Sequence, residues 1–169
     1  MSNSNSAKII LGLDPGFADT GFGVISKENN NLKFLLAGSI QTDKKLDFVQ
    51  RLEIIYEEIK RLSKQWQPDL VAIEKLYFAR NVSTALDVGQ ARGVALLALA
   101  QDKRQILEFT PLQVKQALTG SGKADKRQVG LMVKAVLKIS AVPKPDDAAD
   151  ALALAICGAW FNPKLALKK

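Results

Sequence analysis

The chain of 169 residues contains no histidine. That absence rules out histidine general bases, histidine triads and histidine-ligated zinc. There is a single cysteine, Cys157, so no internal disulfide can form and a reducing compartment is the natural setting. Its apolar neighbours make core packing the expected role. No hydrophobic run reaches the length of a membrane span, and the opening MSNSNSAK lacks the apolar stretch of a secretory signal. Internal repeats, linkers and low-complexity tracts are missing as well. Acids are the minority charge: 17 Asp+Glu stand against 24 Lys+Arg, for a formal charge of +7 and a pI near 9.5. This balance suits an anionic partner, nucleic acid first, although a merely basic soluble protein has the same charge. A hydrophobic content of 47% over this length fits one domain with a substantial core.

Periodicity places the elements. Ile9 to Leu13 is a short apolar strand that ends at the turn Asp14-Pro15-Gly16. Phe22 to Ile25 and Leu32 to Thr42 read as two more strands, and the short polar turn between them makes them antiparallel neighbours. Over 46–66 the period changes: Val49, Leu52, Ile55, Ile59, Leu62 and Trp66 recur at helical spacing. Leu70 to Ile73 is a buried strand running into Glu74. Ser83 is placed to cap a helix reaching about residue 101, and Gln105 to Phe109 is a fifth strand. A short helix follows over 111–118, Asp125 caps a basic amphipathic helix to about Ile139, and a last helix begins near Asp147. The pattern predicts an α/β domain with three antiparallel strands first, then strands alternating with helices.

The last helix, in PDDAADALALAIC, raises a question. From Ala148 onward it has no polar face and should be buried, yet Asp150 sits within it on the same side as Asp146 and Asp147. No Lys or Arg occurs between Lys144 and Lys164, and an unpaired buried carboxylate is costly. Asp14 and Glu74 each close a strand. If those strands are adjacent, their ends share one crevice, of the kind where open α/β sheets bind ligands. Hard oxygen donors without histidine suit Mg²⁺ or Mn²⁺, and a pair of such ions can activate water for phosphodiester hydrolysis. Singly, each acid has a plainer reading: Asp14 as a turn residue, Glu74 as a solvated strand end, Asp146 or Asp147 as a helix cap. Asp150 resists that treatment, because a cap does not sit a full turn inside a helix.

The stretches IILGLDPGFADTGFGVI, PDLVAIE, GQARGVAL, QVKQALTGSGKADKRQV and DAADALALAI, in this order from Ile9 to about Ile156, resemble the Holliday junction resolvases of the RuvC family. The resemblance implies a ribonuclease H-like fold, with a five-stranded mixed sheet of three antiparallel then two parallel strands flanked by helices. It implies a homodimeric, Mg²⁺-dependent endonuclease with two ions per site and Mn²⁺ as a substitute. Such an enzyme nicks two opposing strands of a four-way DNA junction symmetrically, leaving ligatable 5′-phosphate ends in recombination and repair. By position the catalytic and metal-binding acids fall on Asp14, Glu74, Asp147 and Asp150, leaving Asp146 as the helix cap. A branch-migration helicase is the implied partner and the cytoplasm the implied location. The nuclease domain is expected over 9–161, between tails at 1–8 and 162–169.

For DNA binding, the resemblance puts Lys115 and Lys126 near the scissile phosphate. It also puts Tyr77 where the family has a base-stacking phenylalanine, with Phe78 beside it. Lys123, Arg127 and Arg80 add charge for phosphate contacts. Lys134 and Lys138 read as a solvated helix face. GSGK at 120–123 lacks the first glycine and the Ser/Thr of a nucleotide-binding loop, with Ala117 and Ala124 in their places. The helix after Ser83, with Gly89, Ala91, Gly93, Ala95 and Ala98, is expected at the dimer interface, since two equivalent strands suit a two-fold enzyme. A ribonuclease H-like enzyme acting on RNA–DNA hybrids or other branched DNA is the nearest alternative. A silent junction binder would be expected to have lost one of the acids, and none is missing.

Overall fold

The computed structural model describes residues 7–76 and 82–161, excluding the side chains of 82–84. Strands β1 (Lys8–Asp14), β2 (Asp19–Glu28) and β3 (Asn31–Gln41) form an antiparallel meander. They are followed by α1 (Phe48–Trp66), β4 (Leu70–Glu74), α2 (Val82–Gln101) and β5 (Ile106–Phe109). Three helices close the chain: α3 (Pro111–Thr119), α4 (Lys126–Leu137) and α5 (Asp146–Trp160). β4 pairs parallel to β1, and β5 parallel to β4, giving the order β3-β2-β1-β4-β5. This is the ribonuclease H-like arrangement, with the first and fourth strands side by side as the crevice requires.

Alternation along the strands sorts the core into two layers. Leu11, Leu13, Val71 and Ile73 face α1 and α2, where they pack on Ile55, Ile59, Ala95 and Leu99. Ile10 and Ala72 face α5, joined by Val114, Val129 and Val133 from α3 and α4. Parity therefore carries Asp14 and Glu74, one residue beyond Leu13 and Ile73, onto the α5 side. Cys157 packs in this layer at 3% exposure, and burial pushes its thiol up to about 12.

α5 lies unusually close to the sheet because glycines line its path. A Cβ on Gly12 would sit 1.9 Å from the Ala151 carbonyl oxygen, and one on Gly21 would sit 2.1 Å from that of Asp147. The apolar helix needs this close seat, since Leu152 and Ile156 are fully buried beneath it.

Local signals set most helix starts. Asp47, Thr110 and Asp125 each accept a backbone N–H three residues on, and Gln50, Gln113 and Gln128 reciprocate as capping boxes. Two expected caps do not occur. α5 starts after Pro145 with no side-chain cap, and Asp146 lies within its first turn, where a carboxylate instead meets the positive helix end. Ser83 lies inside α2, which begins at Val82. β2 also begins earlier than its apolar run, at Asp19, because Thr20 is fully buried and its hydroxyl donates to the Gly16 carbonyl at 2.7 Å.

Candidate active site

The site is built at the ends of β1 and β4. After Asp14 the chain turns through Pro15-Gly16, and this turn is held rigidly. The Thr42 hydroxyl donates to the Phe17 carbonyl at 2.7 Å, and the Phe17 ring stacks on Phe48 with centroids 4.8 Å apart. The Arg51 guanidinium lies over the same ring at 3.9 Å and donates through Nε to Thr42 Oγ1 at 2.9 Å. Asp14 thus projects from a braced corner.

Asp14 and Glu74 are hydrogen-bonded to each other across the adjacent strand ends. Burial, then the negative charges of Glu74, Asp150 and Asp147, pushes the Asp14 carboxyl up to about 7. Burial also raises Glu74, although the bond from Asp14 and the charge of Lys126 work against that. Two neighbouring carboxyls, one pushed up to about 7 and the other raised, form a site short of positive charge.

α5 brings the other two acids. The first turn of the helix packs on Gly21, which pairs with Asp14 in the β1–β2 ladder, so the Asp147 backbone sits beside the end of β1. Burial and the charge of Asp19 raise the Asp147 carboxyl. Asp19, at the start of β2, is an acid of this rim that the sequence did not single out; it precedes the apolar run that marks the strand.

Asp150 is neither buried nor unpaired. Its side chain is 30% exposed and accepts from Lys126 Nζ at 2.9 Å. The cation sought within the helix comes instead from α4, 24 residues earlier in the chain. Asp150, through this bond and its charge, holds the Lys126 ammonium above its ordinary range. Lys126 is the first residue of α4, directly after the Asp125 cap, so the capping box sets where it points.

Beside these acids a cavity of about 230 Å³ opens between Glu74, Lys115, Lys126 and Asp150, with Pro111, Val114, Val129, Ala153 and Leu154 as its apolar lining. Arg127 lines a neighbouring groove with Lys126, Asp146 and Asp150. Lys123 stands farther out, with Thr119, Ser121 and Gln128. Tyr77, Phe78 and Arg80 lie outside the described residues.

The four expected acids do not all converge on one point. Asp14 and Glu74 pair with each other, while Asp150 acts on both through its charge and Asp147 on Asp14. Among the described residues no group of three carboxylates is close enough to grip one ion. The donor set nevertheless fits a hard divalent cation: every candidate ligand is a carboxylate oxygen, and their crowded negative charge has only Lys126 beside it as partial compensation.

The family profile for crossover junction endodeoxyribonuclease RuvC matches residues 10–158. The crossover junction endodeoxyribonuclease RuvC of Alkaliphilus oremlandii is 53% identical over 151 residues, 89% of this chain and 92% of the relative. That of Halothermothrix orenii is 52% identical over 149 residues, 88% of this chain and 90% of the relative. Thermus thermophilus RuvC in complex with Holliday junction substrate superposes with a TM-score of 0.84 at 32% identity, covering 89% of this chain and 92% of that one.

Proposed function

Since the chain belongs to the RuvC family of crossover junction endodeoxyribonucleases, we propose that the crevice between β1, β4 and α5 is where it cuts DNA. The protein is a Holliday junction resolvase, an endonuclease of recombination and repair acting on four-way junctions. The observation that best supports the placement is the pairing of Asp14 with Glu74 at adjacent strand ends, beside a cavity walled by Lys115 and Lys126.

The enzyme is metal-dependent, as its family is. Asp14, Glu74, Asp147 and Asp150 would hold two Mg²⁺ ions, with Mn²⁺ as a substitute. When bound, the metals activate water and stabilise the leaving oxygen of the phosphodiester. The chain's own side chains divide the remaining work. Asp14, whose carboxyl is pushed up to about 7, would give up its proton on binding the metal. Lys126 and Lys115 draw a phosphate into the cavity, and Lys123, Arg127 and Arg80 hold the flanking backbone. Tyr77 or Phe78 stacks on an opened base, a contact worth about 1–3 kcal/mol. Tyr77→Ala is therefore expected to slow junction cleavage by roughly tenfold with unchanged melting, as about 1.4 kcal/mol implies. Cleavage at the parental rate would remove Tyr77 from this role.

A homodimer fits a substrate with two equivalent strands. α2 supports it: Leu86 and Leu97 are 62% and 54% exposed on this helix, and Gly93 between them has no atom within 4 Å of an added Cβ. Leu97→Glu should convert dimer to monomer in sedimentation and end paired nicking, while a monomeric parent chain would remove the proposal. No described helix is long and apolar enough to cross a membrane. We place the enzyme in the cytoplasm, with a branch-migration helicase as its partner by family relationship.

The deciding experiment is a cleavage panel of immobile four-way junction, linear duplex and RNA–DNA hybrid with Mg²⁺, Ca²⁺ or no metal. Paired, ligatable nicks in the junction with Mg²⁺ alone are expected. Equal cutting of hybrid would favour the broader ribonuclease H-like reading.

A further inference from the structure

The GQARG segment of α2 carries an arginine with no part in the chemistry above. Arg92 Nε donates to the backbone carbonyl oxygen of Glu74 at 3.1 Å, and its NH2 group forms an ion pair with Glu108 of β5. The arginine side chain is 16% exposed and the glutamate 46%.

The need for such a contact follows from the sheet. The β1–β4 ladder ends at Leu13–Ile73, one residue short of Glu74. On the other side, the Lys75 N–H donates to the Phe109 carbonyl at 2.8 Å. Glu74 thus lies at a frayed strand end, paired toward β5 and past the last pair toward β1, and its carboxylate has to meet Asp14 across that gap. Glu108 stands opposite Ile73 in the ladder, on the sheet face that packs against α2. A planar guanidinium meets both acceptors through separate nitrogens in a fixed fork, whereas an ammonium offers its three donors from one freely rotating atom. An ion pair as open as this one adds little stability of its own, so the geometry it fixes is the better reason for it.

Resting on the resolvase reading, we infer that Arg92 is a positioning residue: it clamps the Glu74 peptide to α2 and β5 so that the carboxylate stays against Asp14. The same clamp joins the helix proposed for the dimer interface directly to one acid of the cutting site.

The test compares Arg92→Gln, Arg92→Lys, Glu108→Gln and the exchange Arg92→Glu/Glu108→Arg. Three quantities are read: single-turnover cleavage of a four-way junction in Mg²⁺, junction affinity in Ca²⁺, and thermal melting. Arg92→Gln and Arg92→Lys should cut about 10–100-fold more slowly, the penalty of a misplaced reacting group, with junction affinity within about threefold. Glu108→Gln should lose less, because the carbonyl contact survives. The exchange should restore the ion pair but not the rate. If it recovers rate, or if Arg92→Lys cuts like the parent, the ion pair alone suffices and the inference falls. Should Arg92→Gln not fold, Arg92→Lys carries the same comparison. A parent chain that leaves the junction uncut overturns the resolvase reading itself, and a parent that cuts while Arg92→Lys cuts equally well overturns only the clamp.

Discussion

Asp14→Asn ends junction cleavage and, without metal, makes the protein harder to unfold. Cleavage should fall by a factor on the order of 10³ or more, as when a group that stabilises transition-state charge is removed. Junction binding in Ca²⁺ should persist, because Lys115, Lys126 and Arg127 are untouched. The stability gain follows from the raised carboxyl. The folded chain holds the Asp14 proton more tightly than the unfolded chain, whose value is near 3.8. This contribution to stability is fully present below 3.8 and is lost as pH rises through about 7. At pH 8 the metal-free parent therefore carries a penalty on the order of 2–4 kcal/mol that asparagine does not. Melting of the metal-free variant should exceed that of the parent by about 5 °C or more at pH 8, and the gap should narrow toward pH 5. Mg²⁺ should reverse the order by stabilising the parent alone. A variant that melts below the parent at every pH, or that cuts at the parental rate, would contradict the charge-crowded site.

Gly21→Ala should disable the enzyme without touching an acid. The added methyl would lie 2.1 Å from the Asp147 carbonyl oxygen and 2.5 Å from its carbon, both rigid backbone atoms. The first turn of α5 must then retreat from β2, taking the Asp147 side chain with it. Shifts near 1 Å at a reacting site cost about 100-fold in rate, and overpacking of this kind costs about 1–3 kcal/mol in stability. Gly38→Ala is the matched comparison. Its Cβ would meet the Phe22 ring at 2.8 Å, on β3 and away from the acids, so it should lower melting but spare the rate. Equal rates for the two variants would show that the seat of α5 does not set the chemistry.

Sequence made the strands and their chemistry legible for identifiable reasons. Leu11 and Leu13 alternate with Ile10 and Gly12, and that two-residue period is the sheet's own. Asp125 announced α4 because capping is decided within four residues. What escaped was long-range or masked by glycine. The start of β2 lay outside the apolar run Phe22 to Ile25, since Gly21 is there to admit α5. Asp146 followed a proline in a cap-like context, yet Pro145 itself took the cap position. Lys126 meeting Asp150 and Arg92 meeting Glu74 join residues 24 and 18 apart through tertiary packing, and no local pattern encodes them.

The lysine bound to Asp150 has a thermodynamic consequence. On the proposed roles, a divalent ion at Asp150 would compete with the Lys126 ammonium for one carboxylate. A DNA phosphate that drew Lys126 away would free that oxygen, and by reciprocity cation and nucleic acid would then strengthen each other's hold. Metal loading would in that case follow the arrival of substrate.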